Sequence, residues 1–316
     1  VSQETIRGPL FFLMGPTAAG KTDVAVELAA RLPVEIISVD SAMVYRGMDI
    51  GTGKPSPAVL ARAPHRLIDI REPGETYSAA QFVKDARAAI GEIHAAGRMP
   101  LLVGGTGLYF RALSRGLSVL PEADPRIRAA LSSELDRLGP RALHARLATV
   151  DPASAARIHP NDPQRIQRAL EVYEVAGEPM SALLEAGRGR EQRFEVHAVS
   201  LEPAERGWLH ARIARRFEAM LDQGLVEEVA ALKQSGRLDE GMPALRAVGY
   251  RQVWRFLHGD GDLEALKARA LAATRQLARR QLTWLRKEAE IIRFDCAEPS
   301  TAARVERHFA RSMGRR

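Results

Sequence analysis

Two hydrophobic rhythms alternate along the first third of the chain. Leu10-Phe11-Phe12-Leu13-Met14 is apolar at every position and stops at Gly15-Pro16, as expected for a strand buried on both faces. Val24, Leu28 and Leu32 then recur at helical spacing, predicting a helix over 23–31. A second strand is read over 35–40 and a third over 66–70. Ser78 is placed to cap a helix running to about Gly97, with Phe82, Ala86, Ile90 and Ile93 on one face. Pro100-Leu101-Leu102-Val103 predicts a fourth strand, ending in Gly104-Gly105-Thr106-Gly107. Strands alternating with helices imply an α/β fold: a parallel sheet core with helices on both faces.

The rhythm breaks near Ser114. From there to about Arg193 short helical pieces are separated by Pro121, Pro125, Pro140, Pro152, Pro160, Pro163 and Pro179, with no convincing strand. We read 114–198 as an all-helical insertion domain, and 1–113 with 199–316 as the catalytic core. The alternating stretch 194–201 marks the return to the sheet. Helices then dominate to about Lys287, and a late strand at 291–295 precedes a final helix.

Composition narrows the classes. Of 316 residues, 46% are hydrophobic and 27% charged, which excludes bulk disorder. The lone cysteine, Cys296, excludes a disulfide framework and a multi-cysteine zinc site. No apolar run approaches the ~18 residues of a membrane helix, and the stretch at 10–14 runs into glycines with another use rather than ending a leader peptide. No membrane association and a cytoplasmic location are expected. The formal charge is +7, nearly all of it beyond residue 198, a mild signal for a polyanionic partner.

Gly15-Pro16-Thr17-Ala18-Ala19-Gly20-Lys21-Thr22 fits the phosphate-loop pattern G-x-x-x-x-G-K-[ST] in full, between a strand and a helix. The glycines let the backbone curl so that amides converge on one anion, at a helix N-terminus that adds partial positive charge. Lys21 brings a full charge, and the Thr22 hydroxyl is a candidate ligand for Mg²⁺. The residues alone leave the anion open, since an ATP tail and an allylic diphosphate present much the same groups. Asp40 and Thr106 lie at other expected strand ends, on the edge where open α/β sheets bind ligands. A carboxylate beside a diphosphate site is repelled unless it binds metal or acts as a general base, though a turn-capping role also fits Asp40, as helix capping fits Thr106.

Taken together, GPTAAGKT (15–22), VDSA (39–42), YRGMDIGT (45–52), PHRL (64–67), GGTGLY (104–109), RIHPND (157–162), AVGYR (247–251), TRQLARRQ (274–281) and TWLR (283–286) resemble the tRNA dimethylallyltransferase family in order along essentially the whole chain. The resemblance implies a P-loop NTPase-like core and transfer of a dimethylallyl group from dimethylallyl diphosphate to N6 of the adenosine 3′ of the anticodon in tRNA. It implies Asp40 as general base, Thr106 and Arg216 as contacts to the diphosphate, and Mg²⁺ on Thr22; Arg215, next door, leaves a one-residue ambiguity. It further implies tRNA contacts at Asp40, Ser41, Ala42, Met43, Thr106, Arg128, Gln164, Arg165, Ile166, Gln167, Arg168, Arg246, Val248, Gly249, Tyr250, Arg251, Arg279, Arg280, Gln281, Thr283, Trp284 and Arg286, the partner being the anticodon stem-loop. Ala19 stands where many members carry Ser. The eukaryotic C-terminal zinc-finger extension is absent, which points to the bacterial type, and a monomer with no protein partner is expected.

The residues support the same chemistry. An adenine amine is a poor nucleophile, and a base that takes its proton as the C–N bond forms helps it. Amides, Lys21, an Arg and Mg²⁺ would stabilise the departing diphosphate. The chain has no Asp-Asp pair of the kind ordinary prenyl synthases use. Arg275, Arg279 and Arg286 share a helical face that could track an RNA backbone. Trp284 beside them reads as a base-stacking or a core residue. Two rivals use the same cradle: a P-loop small-molecule or nucleotide kinase with a helical lid, and an RNA-binding NTPase switch.

Overall fold

The structure is a computed structural model and describes residues 8–117, 120–186 and 194–314. Its first elements are β1 (Leu10–Met14), α1 (Lys21–Arg31), β2 (Val34–Val39), α2 (Pro57–Arg62), β3 (His65–Arg66), α3 (Ala79–Ala95), β4 (Met99–Gly104) and α4 (Gly107–Arg115). Then come α5 (Pro125–Leu138), α6 (Pro140–Val150), α7 (Pro152–Ala155), α8 (Pro163–Ala176) and α9 (Met180–Ala186). The chain continues through β5 (Val196–Glu202), α10 (Arg206–Asp222), α11 (Leu225–Gln234), a 3₁₀ turn at Pro243–Arg246, α12 (Tyr250–Leu257), α13 (Leu263–Leu285), β6 (Ile292–Asp295) and α14 (Thr301–Met313).

The strands form one sheet in the order β3-β2-β4-β1-β5-β6, and every neighbouring pair is parallel. Phe12 and Met14 point to one face, where they meet Phe82, Ile90, Ile93 and Phe110 of α3 and α4. Phe11 and Leu13 point to the other, against Ala25 and Leu28 of α1 and Val305 and Phe309 of α14. The period-two alternation within an all-apolar run is thus used on both sides. Ser78 caps α3 through a reciprocal capping box with Gln81.

Register brings the chemistry to one edge. Met14 and Val39 each pair with Gly104, so the chain leaves β1, β4 and β2 side by side at Gly15, Gly105 and Asp40. Neighbouring strands lie ~4.8 Å apart, which sets Asp40 two strand spacings, roughly 10 Å, from the start of the phosphate loop.

The expected third strand is shorter than read. It covers only His65–Arg66, because Leu67 and Asp69 turn to φ 63° and 55°, outside the extended region. Lys54 braces the bend: its side chain, 4% exposed, brings its ammonium to the Asp69 carboxylate, to Asp49 and to the Tyr45 carbonyl.

Two compact units divide the chain, one joining Val1–Ser114 to Arg193–Arg316 and the other Arg115–Gln192. In the second unit the described residues form helices and no strand. Pro125, Pro140, Pro152 and Pro163 each open a helix, where the missing N–H costs nothing. Its core gathers Leu131, Leu143, Leu147, Ile166, Ala169 and Leu170. The Asp151 carboxylate, fully buried, ties α7 to α9 by accepting from the Ser154 amide and from the Ser181 amide and hydroxyl.

Candidate active site

An open cleft of about 910 Å³ lies along the strand edge. Residues of the phosphate loop, the turn after β2, the turn after β4, α10 and α13 all line it. Within the loop, the amides of Ala18, Gly20, Lys21 and Thr22 donate to no protein group among the described residues. They are the donors an anion would meet at the start of α1. The loop is backed by packing: Ala18, at φ 64°, is buried against Leu209 and Ile213 of α10 and Ala278 of α13.

Three cations converge on this place. Lys21 donates to the Pro16 carbonyl at 2.7 Å. Burial pulls its ammonium down to about 8, the neighbouring Arg216 adds to the fall, and Asp40 and Cys296 oppose it. Arg216 is lowered too, first by burial and then by Arg212, with Asp40 and Asp23 opposing. These mutual effects place Lys21, Arg216 and Asp40 in one electrostatic neighbourhood. Arg212 donates from Nε to the Ala18 carbonyl at 2.9 Å. Arg216 lines the cleft, whereas its neighbour Arg215 is exposed and does not. Arg212 escaped the sequence reading. Its signal was there, four residues before Arg216 on the same face of α10, and so was that of Lys54, which also lines the cleft.

Asp40 closes the turn that follows β2. Oδ1 accepts from the amides of Ala42 at 2.8 Å and Met43 at 3.3 Å, an Asx turn that fixes the carboxylate. Oδ2 accepts no hydrogen bond among the described residues, and Asp40 lines the cleft. Thr106 lies on the adjacent strand end, its amide donating to the Val39 carbonyl at 3.3 Å. It precedes α4 and accepts from the Tyr109 and Phe110 amides through its carbonyl, and it lines the cleft. Thr22 lines the cleft as well. No cluster of three or more His, Cys, Asp or Glu able to hold a metal occurs among the described residues.

The residues expected to touch RNA divide. Asp40, Ser41, Ala42, Met43, Thr106, Arg246, Val248, Gly249, Arg280 and Gln281 line the cleft. Arg279, Thr283 and Arg286 are exposed on or just past α13, as is Arg251 on α12. Trp284 is half-buried with its ring stacked on Phe110 at 6.5 Å, so that face is committed to packing. In the helical unit Gln164 and Arg165 are exposed. Arg128 and Arg168 both bind the buried Glu171 carboxylate, and Gln167 donates to the Arg128 carbonyl and to Ser132. Ile166 and Tyr250, also expected among the RNA contacts, are fully buried here. Tyr250 instead donates to Glu228 at 2.5 Å and accepts from the Gly51 amide, while Glu228 accepts from the Asp49 and Ile50 amides. The pair pins the 49–51 segment that lines the cleft.

Comparison with known proteins agrees with this architecture. A family model described as IPP transferase matches residues 43–288, and one described as isopentenyl transferase matches residues 8–75. The chain is 64% identical over 280 residues to a tRNA dimethylallyltransferase of Alkalilimnicola ehrlichii, covering 89% of this chain and 88% of the relative. It is 58% identical over 304 residues to one of Thioalkalivibrio sulfidiphilus, covering 95% of each. The solved tRNA isopentenylpyrophosphate transferase of Bacillus halodurans shares the fold with a TM-score of 0.71, at 36% identity and 97% coverage of both chains. The kinase and switch readings rested on the cradle, with the helical insertion as a lid in the kinase case. Similarity that runs from the phosphate loop through α13 is not a matter of one loop, and the chain belongs to the tRNA dimethylallyltransferase family.

Proposed function

We propose that this chain transfers a dimethylallyl group from dimethylallyl diphosphate to N6 of the adenosine 3′ of the anticodon in tRNA. One observation carries the reading. Lys21, Arg212 and Arg216 share a single cleft with the Asp40 carboxylate, one of whose oxygens is fixed and the other uncommitted.

The chemistry follows from that opposition. The free loop amides, Lys21 and Arg216 grip the diphosphate, and their charges count for more as negative charge grows on the leaving oxygen. The allylic C1–O bond breaks, the N6–C1 bond forms, and the amine proton passes to Oδ2 of Asp40. Diphosphate departs and the carboxyl later returns its proton to solvent. Thr106 offers a hydroxyl to a diphosphate oxygen. Mg²⁺ fits the donor set: this cation binds through few protein ligands plus substrate phosphates, and Thr22 supplies a hydroxyl in a cleft where the described residues form no cluster of three or more metal-binding side chains. Bound there, the ion would neutralise charge on the diphosphate.

The adenine must leave its stack to reach the cleft, and an anticodon loop makes this cheaper than a duplex would. Arg275, Arg279 and Arg286, exposed on or just past α13, are the proposed backbone contacts, with the helical unit adding Gln164 and Arg165. No helix among the described residues is long and apolar enough to cross a membrane. The test is incubation with labelled dimethylallyl diphosphate, ATP and bulk tRNA. Label in the RNA is expected; phosphate released from ATP with unlabelled RNA would refute the reading.

A further inference from the structure

The glycine-rich turn after β4 seats the last turns of α13. A Cβ on Gly105 would come within 2.3 Å of Gln281 Nε2, and one on Gly107 within 2.3 Å of the Trp284 ring. A side chain at Gly107 would have to displace the Trp284 ring and one at Gly105 the end of the Gln281 side chain, and Thr106 is held between the two contacts. Gln281 goes further. Its Nε2 donates to the Gly105 carbonyl at 3.1 Å, and its Oε1 accepts from the Thr17 amide at 2.8 Å. One side-chain amide therefore joins the phosphate loop to the turn that carries Thr106. It also takes the Thr17 amide out of the set left for an anion.

We propose that Gln281 is a positioning residue for the leaving group, bracing the phosphate loop and the Thr106 turn against the helix whose outer face meets RNA. This deepens the prenyl-transfer reading and rests on it for the identity of the ligand. It also replaces the expected role of Gln281 as an RNA contact, since both ends of its amide are already engaged. The geometry gives the helix a direct mechanical link to both loops. Arg280, one residue earlier, lines the cleft, and Arg279 is exposed on the helix.

The experiment titrates inorganic diphosphate with Mg²⁺ into the full chain by calorimetry, without RNA, and measures tRNA affinity separately. Gln281→Met keeps the volume and removes both hydrogen bonds. Two lost bonds of ordinary strength correspond to diphosphate binding weaker by about tenfold or more, with a matching rise in KM for dimethylallyl diphosphate and tRNA affinity unchanged within about twofold. Gly105→Ala, which displaces the same amide, is expected to give a similar loss, and the double variant no more than either alone. If Gln281→Met does not fold, Gln281→Asn carries the test, because the shorter amide cannot span both partners. Diphosphate affinity equal to wild type, a loss confined to tRNA affinity, or additive single losses would each overturn the proposal. Failure of the wild type to label tRNA would defeat the prenyl-transfer reading instead, and the diphosphate titration does not depend on it.

Discussion

Lys21 makes the affinity for diphosphate depend on pH in a way that can be worked out. Burial and Arg216 bring its ammonium down to about 8 in the protein as described. At that value about one-tenth of the side chain is neutral at pH 7, half at pH 8 and nine-tenths at pH 9. A diphosphate places anionic oxygens beside the ammonium and raises its pKa, so the bound form keeps the proton across this range. Binding at pH 8 is therefore accompanied by uptake of about half a proton, and affinity falls about tenfold between pH 7 and pH 9. The sign is fixed: the favourable charge is present below the free value and lost as pH rises through it. Calorimetry of a non-reactive diphosphate analogue in two buffers of different ionisation enthalpy reads the proton directly. Lys21→Arg provides the control, because a guanidinium does not titrate here and any pH dependence that remains belongs to the ligand. No proton uptake at pH 8, or the same pH dependence in Lys21→Arg, would refute the reasoning.

Three further outcomes follow. Arg216→Ala should lower single-turnover transfer by ~10²–10³, the scale of losing one transition-state charge contact, whereas Arg215→Ala, outside the cleft, should change it less than about threefold; equal effects would mean the helical face is misread. Arg279→Ala should weaken tRNA binding and reduce the slope of log affinity against log salt by about 1; an unchanged slope removes Arg279 from the interface. Tyr250→Phe should cost ~1–3 kcal/mol in urea denaturation, because Glu228 loses a buried donor and Gly51 an acceptor; a loss under about 0.5 kcal/mol would show the pair is not holding the 49–51 segment.

What the sequence made legible was what lies close together along it. The phosphate loop is one contiguous motif in its strand–helix setting, and the Asx turn of Asp40 is closed within three residues. The alternation of apolar runs with helical spacing placed the strands, and the prolines 125, 140, 152 and 163 marked the helix starts of the second unit. What the sequence left unread was decided by contacts made across the fold. Lys54 braces the segment after His65 by holding Asp69 from 15 residues away. Gln281 reaches Thr17 across 264 residues, and no local pattern tells a bracing amide from an RNA-facing one. Arg212 needed the knowledge that α10 packs on the phosphate loop, after which its spacing from Arg216 is plain. Ile166 and Tyr250 each sit beside an exposed arginine, Arg165 and Arg251, yet each turns into a core.

The central claim is that one carboxylate takes the adenine proton opposite a cationic seat for the leaving diphosphate. Asp40→Asn tests it most directly, since the Asn oxygen can still accept from the Ala42 and Met43 amides and preserve the turn. Rapid-quench single-turnover transfer at saturating tRNA and dimethylallyl diphosphate should slow by ~10²–10⁴, with the affinity for tRNA held within about twofold. A transfer rate equal to wild type, or a loss confined to tRNA affinity, would contradict the account.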